Sequence, residues 1–262
     1  MTVRPTVLIT GASSGIGATY ADRFARRGHN LVLVARDATR LEALAHELER
    51  ENGITAEILR ADLTQPDELA AVEKRLREDA QIGVLINNAG ASLMGSFVDQ
   101  TTDDIEQLIS LNTVAPTRLA SAIAPRLAQA GSGAIVNISS VVGLAPEFGV
   151  SVYGATKAFV LFLSQGLSQE LAPKGVYVQA VLPAATATEI WQRSGLPEEF
   201  RPPLMEVGKL VDAALVGFDR KESITIPPLH DQSQWETYSL ARQSMLPGFA
   251  TTEPAERYQN LG

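Results

Sequence analysis

Short apolar runs alternate with longer amphipathic stretches along most of the chain. Thr6–Thr10 (TVLIT), Asn30–Ala35 (NLVLVA), Ala56–Arg60 (AEILR), Gly83–Ile86 (GVLI), Ala134–Ile138 (AIVNI), Val176–Leu182 (VYVQAVL) and Ser223–Ile226 (SITI) are compact and mostly apolar, as buried strands are. Between them, apolar residues recur at helical spacing. Leu41–Arg50 sets charges opposite its apolar face. The stretch from Gln65 to about Ala80 opens Gln-Pro-Asp-Glu, and proline and acids suit a first helical turn. Further helices are predicted up to about Arg27, from about Thr102 to Gln129, and from about Ser151 to Leu171. Strands alternating with helices imply an α/β fold, a doubly wound, seven-stranded parallel sheet covered on both faces. The ligand site of such a sheet lies beyond the carboxyl ends of its strands. No linker, repeat or low-complexity tract divides residues 1–262, so a single domain is predicted.

Composition narrows the picture. Apolar residues make up 45% and charged residues 20%, as in a globular protein rather than a disordered one. Lys plus Arg number 22 and Asp plus Glu 30, a net charge of −8. That balance repels phosphate backbones and anionic lipid, so nucleic acid and membrane surfaces are not expected partners. There is no cysteine, which excludes disulfides and thiolate catalysis, and His29, His46 and His230 are too scattered for a metal motif. The opening MTVRPTVLITGASSGIG has too short an apolar piece for a signal sequence, so a cytoplasmic location is expected.

Candidate chemistry begins after the first strand, in Thr10-Gly11-Ala12-Ser13-Ser14-Gly15-Ile16-Gly17. Glycines let the backbone turn sharply and approach a phosphate, and free N–H groups at the following helix start face it. The position between strand and helix favours dinucleotide binding over a plain tight turn, with Gly11, Ser13, Ser14, Gly15, Ile16 and Gly17 as contacts. The spacing TGxxxGxG resembles the short-chain dehydrogenase/reductase family in its compact form, and the likeness runs to about Ile226. It implies a Rossmann-type fold.

The second strand ends Val34-Ala35-Arg36-Asp37, with Ala35 where an acid usually binds the ribose. A guanidinium at Arg36 can grip a 2′-phosphate, and in the resembled family an arginine there accompanies NADP(H), which is favoured over NAD(H). Asp62-Leu63 follows the third strand. The resemblance implies that Asp62 accepts from the adenine amine, while an N-cap for the next helix is an equal physical reading. After the fourth strand, Asn87-Asn88-Ala89-Gly90 offers small residues against which adenosine can lie, and asparagine amides that can brace strand ends.

Tyr153-Gly-Ala-Thr-Lys157 places a phenol and an ammonium on one helix face. A neighbouring ammonium favours phenolate and so lowers the phenol's pKa, which would let Tyr153 exchange a proton with a substrate oxygen. The family's catalytic serine lies thirteen residues before its tyrosine, a count that Ser140 meets and Ser139 does not. No histidine or GxSxG motif accompanies Ser140, so a hydrolase reading fails. The family also places an asparagine in the long helix, here Asn112. Pro116 cannot donate to the Asn112 carbonyl, so the helix is expected to bend there, and the carbonyl could hold a water that reaches Lys157. Lys157 is also implied as a nicotinamide-ribose ligand, making Tyr153 and Lys157 cofactor contacts too. After the sixth strand, Pro183-Ala184-Ala185-Thr186-Ala187-Thr188 matches the family's PGxxxT except at Ala184, and Thr188 is implied as the carboxamide partner. An ordinary backbone conformation is expected at Ala184.

The resemblance puts a substrate lid after Thr188, over about residues 188–222. Trp191, Leu196, Phe200, Leu204 and Met205 could line an apolar pocket there or serve as packing, and Arg193 and Arg201 form no basic patch. Small apolar ketones, aldehydes or alcohols are the expected substrates. Residues 155–171 are apolar on more than one face, and the family pairs subunits through that helix, so a homodimer or homotetramer is expected. Residues 227–262 are a C-terminal extension that covers either the substrate mouth or a subunit contact. The function expected is NADP(H)-dependent carbonyl reduction or its reverse. A 3-oxoacyl carrier reductase and a non-catalytic nucleotide-sensing protein are the alternatives.

Overall fold

A computed structural model describes residues 4–189 and 202–259. Seven parallel strands are ordered β3-β2-β1-β4-β5-β6-β7. They are β1 (Thr6–Thr10), β2 (Leu31–Ala35), β3 (Ala56–Arg60), β4 (Ile82–Asn87), β5 (Ala134–Ile138), β6 (Tyr177–Val181) and β7 (Ile224–Thr225). The order reverses between β1 and β4, which opens a crevice at the carboxyl ends of those strands. The predicted doubly wound, Rossmann-type sheet is thus observed.

Side chains alternate across the sheet and build a core on each face. Val7 and Ile9 join Leu33 and Ile86 against α1 (Gly15–Arg26) and α2 (Ala38–Asn52). Leu8 joins Val32 and Leu85 on the opposite face, against α3 (Pro66–Glu78) and α5 (Ala115–Ala130). Each fully buried Leu or Ile contributes about 1.5–3 kcal/mol of transfer free energy. Double coverage is why these strands read as continuous apolar runs. The edge strand β3 differs: Glu57, Ile58 and Arg60 are exposed, and Arg75 of α3 pairs with Glu57.

The long helix predicted over residues 102–129 is not continuous. It comprises α4 (Thr102–Ile109), a π turn (Ser110–Val114) and α5. The expected break falls at Asn112, but as a widened turn in which Ala115 N–H reaches back to Ser110 O. A π bulge is one of the few ways to accommodate a missing donor such as that of Pro116. The helix α6 (Ser151–Leu171) follows β5 as predicted.

Within the stretch assigned to a lid, Val207–Asp219 forms α7, which buries Leu210, Val211, Ala214 and Leu215. Two ion pairs, Arg23–Asp212 and Arg27–Asp219, join it to α1. This part therefore belongs to the frame of the sheet. Trp191, Arg193, Leu196, Phe200 and Arg201 lie outside the described residues. The stretch is pinned where Ala187 N–H donates to Met205 O and Met205 N–H to Ala185 O, both at 2.9 Å.

The sheet and its helices belong to one compact unit, Met1–Pro227. Pro228–Gly262 clusters as a second unit. It holds α8 (Gln232–Ser244), capped by Asp231 and with Trp235 stacked on Tyr238. None of its described residues is buried. No described helix is long and apolar enough to cross a membrane.

Candidate active site

A cleft of about 980 Å³ lies at the carboxyl ends of the strands. Its floor is the glycine turn. Gly11 and Gly15 take left-handed φ values of 64° and 55°. A Cβ at Gly17 would stand 2.2 Å from Gly11 O, so only glycine permits that approach. Ser14, the N-cap of α1, makes no side-chain cap bond, which leaves the first N–H groups of α1 without a capping oxygen. These features fit an anion such as a pyrophosphate. Gly11, Ser13, Ser14, Gly15 and Ile16 line the cleft, whereas Gly17 is buried beneath it.

One wall holds Arg36, Asp62 and Leu63. Arg36 is 64% exposed and lies 4.0 Å from Asp62, loosely enough for its guanidinium to take another partner. Asp62 does not cap α3, whose N-cap is Gln65. It closes a local turn instead, accepting from Thr64 N–H at 3.0 Å and Thr64 Oγ1 at 2.7 Å. Burial pushes the Asp62 carboxyl up, but those bonds and the charges of Arg36 and Arg60 bring it below its ordinary range.

The floor is tied to the next strand by hydrogen bonds. Thr10 Oγ1 accepts from the N–H groups of Asn88 and Ala89, both at 3.0 Å, and Asn88 Nδ2 donates to Thr10 O at 2.9 Å. Asn87 Nδ2 donates to Asn137 Oδ1 at 2.9 Å. Asparagine amides thus brace the strand ends, as the sequence suggested. Asn88, Ala89 and Gly90 line the cleft. Gly90 lies close to Asn112 and Lys157: a Cβ there would lie 3.2 Å from Asn112 Oδ1 and 3.5 Å from Lys157 Nζ.

The first turns of α6 bring Tyr153 and Lys157 to the same cleft, facing Ser140 at the end of β5. The Ser140 hydroxyl donates to Pro183 O at 3.2 Å and lines the cleft together with the Tyr153 phenol. Ser139 also borders the cleft, but its hydroxyl is spent on the backbone of α6, donating to Lys157 O at 2.7 Å. Lys157 Nζ donates to Ile138 O at 2.9 Å and lies 5.8 Å from the Tyr153 ring centroid.

The electrostatics correct one expectation. Burial pushes the Tyr153 phenol up to about 12, against the lowering effect of the nearby Ser140 hydroxyl. Burial also lowers Lys157, to about 8. Desolvation disfavours the charged form of each group, so the net shift of the phenol is upward despite the nearby ammonium. Tyr153 is nonetheless only partly buried as a residue and lines the cleft.

Asn112 is buried and lies outside the cleft lining. Its amide clamps the backbone of Ala91, accepting from Ala91 N–H at 3.0 Å and donating to Ala91 O at 2.9 Å. It also donates to Thr156 Oγ1 at 3.0 Å. Thr156 is a residue that the motif reading passed over, although it stands inside the Tyr153–Lys157 spacing. Pro183 and Thr188 line the cleft. Ala184 keeps an ordinary φ, since Lys221 is the non-glycine residue with positive φ among those described. The sequence reading also missed Arg40 and Glu189, which line the cleft and pair at 2.7 Å across 149 residues. No local pattern signals a contact of that range.

The model of the short chain dehydrogenase family matches residues 5–199. A short-chain dehydrogenase from Sphingobium yanoikuyae, solved in complex with NADPH, is 66% identical, covers 97% of this chain and 100% of its own, and superposes with a TM-score of 0.96. A bulky-bulky ketone specific alcohol dehydrogenase from Comamonas testosteroni is 59% identical over 98% of this chain and 100% of its own, with a TM-score of 0.92. The 17-beta-hydroxysteroid dehydrogenase type 3 of Homo sapiens is 37% identical over 183 residues, 69% of this chain and 59% of that protein. The chain thus spans less than two thirds of that curated relative.

Proposed function

The chain belongs to the short-chain dehydrogenase/reductase family of oxidoreductases, and from that premise we propose that it interconverts bulky apolar ketones and their secondary alcohols with NADP(H), Tyr153 giving or taking the proton. One observation carries this reading: Ser140, Tyr153 and Lys157 meet in a cleft whose other end is a glycine cradle fit for a pyrophosphate. NADPH, when bound, supplies the hydride.

The protein's own residues account for the rest. Gly11, Ser13, Ser14, Gly15 and Ile16, with the start of α1, would hold the phosphates, and Gly17 allows their approach. Arg36 would bind the 2′-phosphate, Asp62 and Leu63 the adenine, and Asn88, Ala89 and Gly90 the adenosine face. Pro183 and Thr188 would flank the nicotinamide, and Lys157 its ribose. The Ser140 hydroxyl would hold the substrate oxygen beside Tyr153, whose neutral phenol is the proton-donating form needed for reduction. Asn112, with its carbonyl out of Pro116's reach, would link Lys157 to solvent protons.

NADP(H) is supported by the exposed Arg36, by Ala35 where an acid would favour NAD(H), and by the NADPH-bound relative. Apolar ketones are supported by the apolar side chains Met94, Val142, Phe148, Val150 and Pro202 among those lining the cleft, and by the ketone specificity of the Comamonas testosteroni relative. A panel of diaryl, aryl-alkyl and dialkyl ketones, with 3-oxoacyl thioesters alongside, tests the reading under NADPH and under NADH. Bulky ketones with NADPH should give the highest kcat/KM. Turnover confined to thioesters would move the assignment to an acyl reductase. Tyr153→Phe should lower kcat by roughly 10²–10⁴-fold while NADPH still binds, because only the proton donor is lost. Wild-type-like turnover by that variant would remove Tyr153 from the chemistry.

A further inference from the structure

The residues that handle the proton stand on separate elements: Ser140 after β5, Asn112 on the π turn, and Tyr153 and Lys157 on α6. We propose that Thr156 is the positioning residue that locks two of these elements, tying the π turn to the first turn of α6 so that the Tyr153 phenol is held against Ser140. This rests on the oxidoreductase reading above.

Thr156 is buried and uses both capacities of its hydroxyl. It accepts from Asn112 Nδ2 at 3.0 Å and donates to Tyr153 O at 2.8 Å. The second bond is the ordinary back-bonding of a helical threonine, but it ends on the carbonyl of the reactive tyrosine itself. The first crosses to another element. Asn112 spends its other amide hydrogen and its oxygen on Ala91, so Thr156 completes the hydrogen bonding of a buried amide. One continuous chain of bonds therefore runs from the loop after β4, through the π turn, to the backbone of Tyr153.

The π turn needs such an anchor. Its backbone is widened, and Pro116 contributes no N–H to stiffen it. Lys157 shares the arrangement, because its Nζ and Asn112 Oδ1 both border the space beside Gly90. If the link between Asn112 and Thr156 is lost, Tyr153 can drift from Ser140 while the glycine cradle stays intact. Catalysis and cofactor binding should therefore separate.

Thr156→Val keeps the shape and removes the hydroxyl, whereas Thr156→Ser keeps the hydroxyl and removes the methyl. Thr156→Val should lower kcat about 10–100-fold, as expected for a small misplacement of a reacting group. The KM for ketone and the Kd for NADPH should stay within about threefold, and Thr156→Ser should restore kcat to within about threefold of wild type. For alcohol oxidation, the pH profile of kcat in Thr156→Val should move to higher pH, because a phenol displaced from the polar groups around Ser140 loses their support for phenolate. Amide hydrogen exchange, read by mass spectrometry without nucleotide, should quicken over residues 110–114 in Thr156→Val and not in Thr156→Ser. A Thr156→Val enzyme with wild-type kcat and pH profile would overturn the proposal. So would a Thr156→Ser enzyme as impaired as Thr156→Val, which would assign the effect to the methyl. If wild type reduces no carbonyl compound, the oxidoreductase reading fails on its own, and the exchange data still decide the lock: unchanged exchange in Thr156→Val overturns it.

Discussion

Lys157 is charged in a place that penalises charge. Burial brings its ammonium from 10.5 to about 8, and Ile138 O accepts one of its hydrogens. The folded value lies below the unfolded one, so the folded state gives up the proton first. The penalty is complete below pH 8 and lifts as pH rises toward 10.5. Lys157→Met removes the titrating group. Relative to that variant, wild type should gain up to about 3 kcal/mol between pH 8 and 10.5, read from urea unfolding at each pH. A stability difference that stays flat across the window would show that the ammonium is well solvated. At this scale the chemistry was legible as residue types and spacing. The direction of the Tyr153 shift was not, since it depends on how many protein atoms crowd the phenol.

At the scale of elements, the turn from β1 into α1 is the most constrained. Gly17 faces Gly11 O and Asn88 Nδ2, so a methyl group at this helix position collides with backbone and with a braced amide together. Gly17→Ala should weaken NADPH binding by more than about tenfold and lower stability by about 1–3 kcal/mol, as overpacking does. Fluorescence titration and thermal unfolding check the two effects. Full retention of affinity would detach the cradle from nucleotide binding. The strands and most helices were readable from periodicity, and Gly53 and Gly131, both left-handed, mark the ends of α2 and α5. The π turn was readable only as a break. Pro116 announces a missing donor, but widening rather than kinking accompanies the bonds of Asn112 to Ala91 and Thr156, which lie 21 and 44 residues away.

For the whole molecule, α6 turns Val160, Leu161 and Ser164 inward and leaves Phe159 and Phe162 outward, at 43% and 75% exposure. Large exposed aromatics on a helix already packed on one side suit a subunit contact. The chain is expected to be a homodimer or homotetramer at micromolar concentration by light scattering, and Phe162→Glu should dissociate it. A monomeric wild type would leave that face without its expected partner.

The sequence by itself determined the α/β alternation, the glycine turn, the motif residues and the excess of negative charge, because each is a matter of local spacing or composition. Tertiary structure decided how Asn112 is held, which part of the expected lid is core, and which way Tyr153 and Lys157 titrate. Those outcomes depend on burial and on bonds between residues far apart in the chain, and no local pattern encodes such distances.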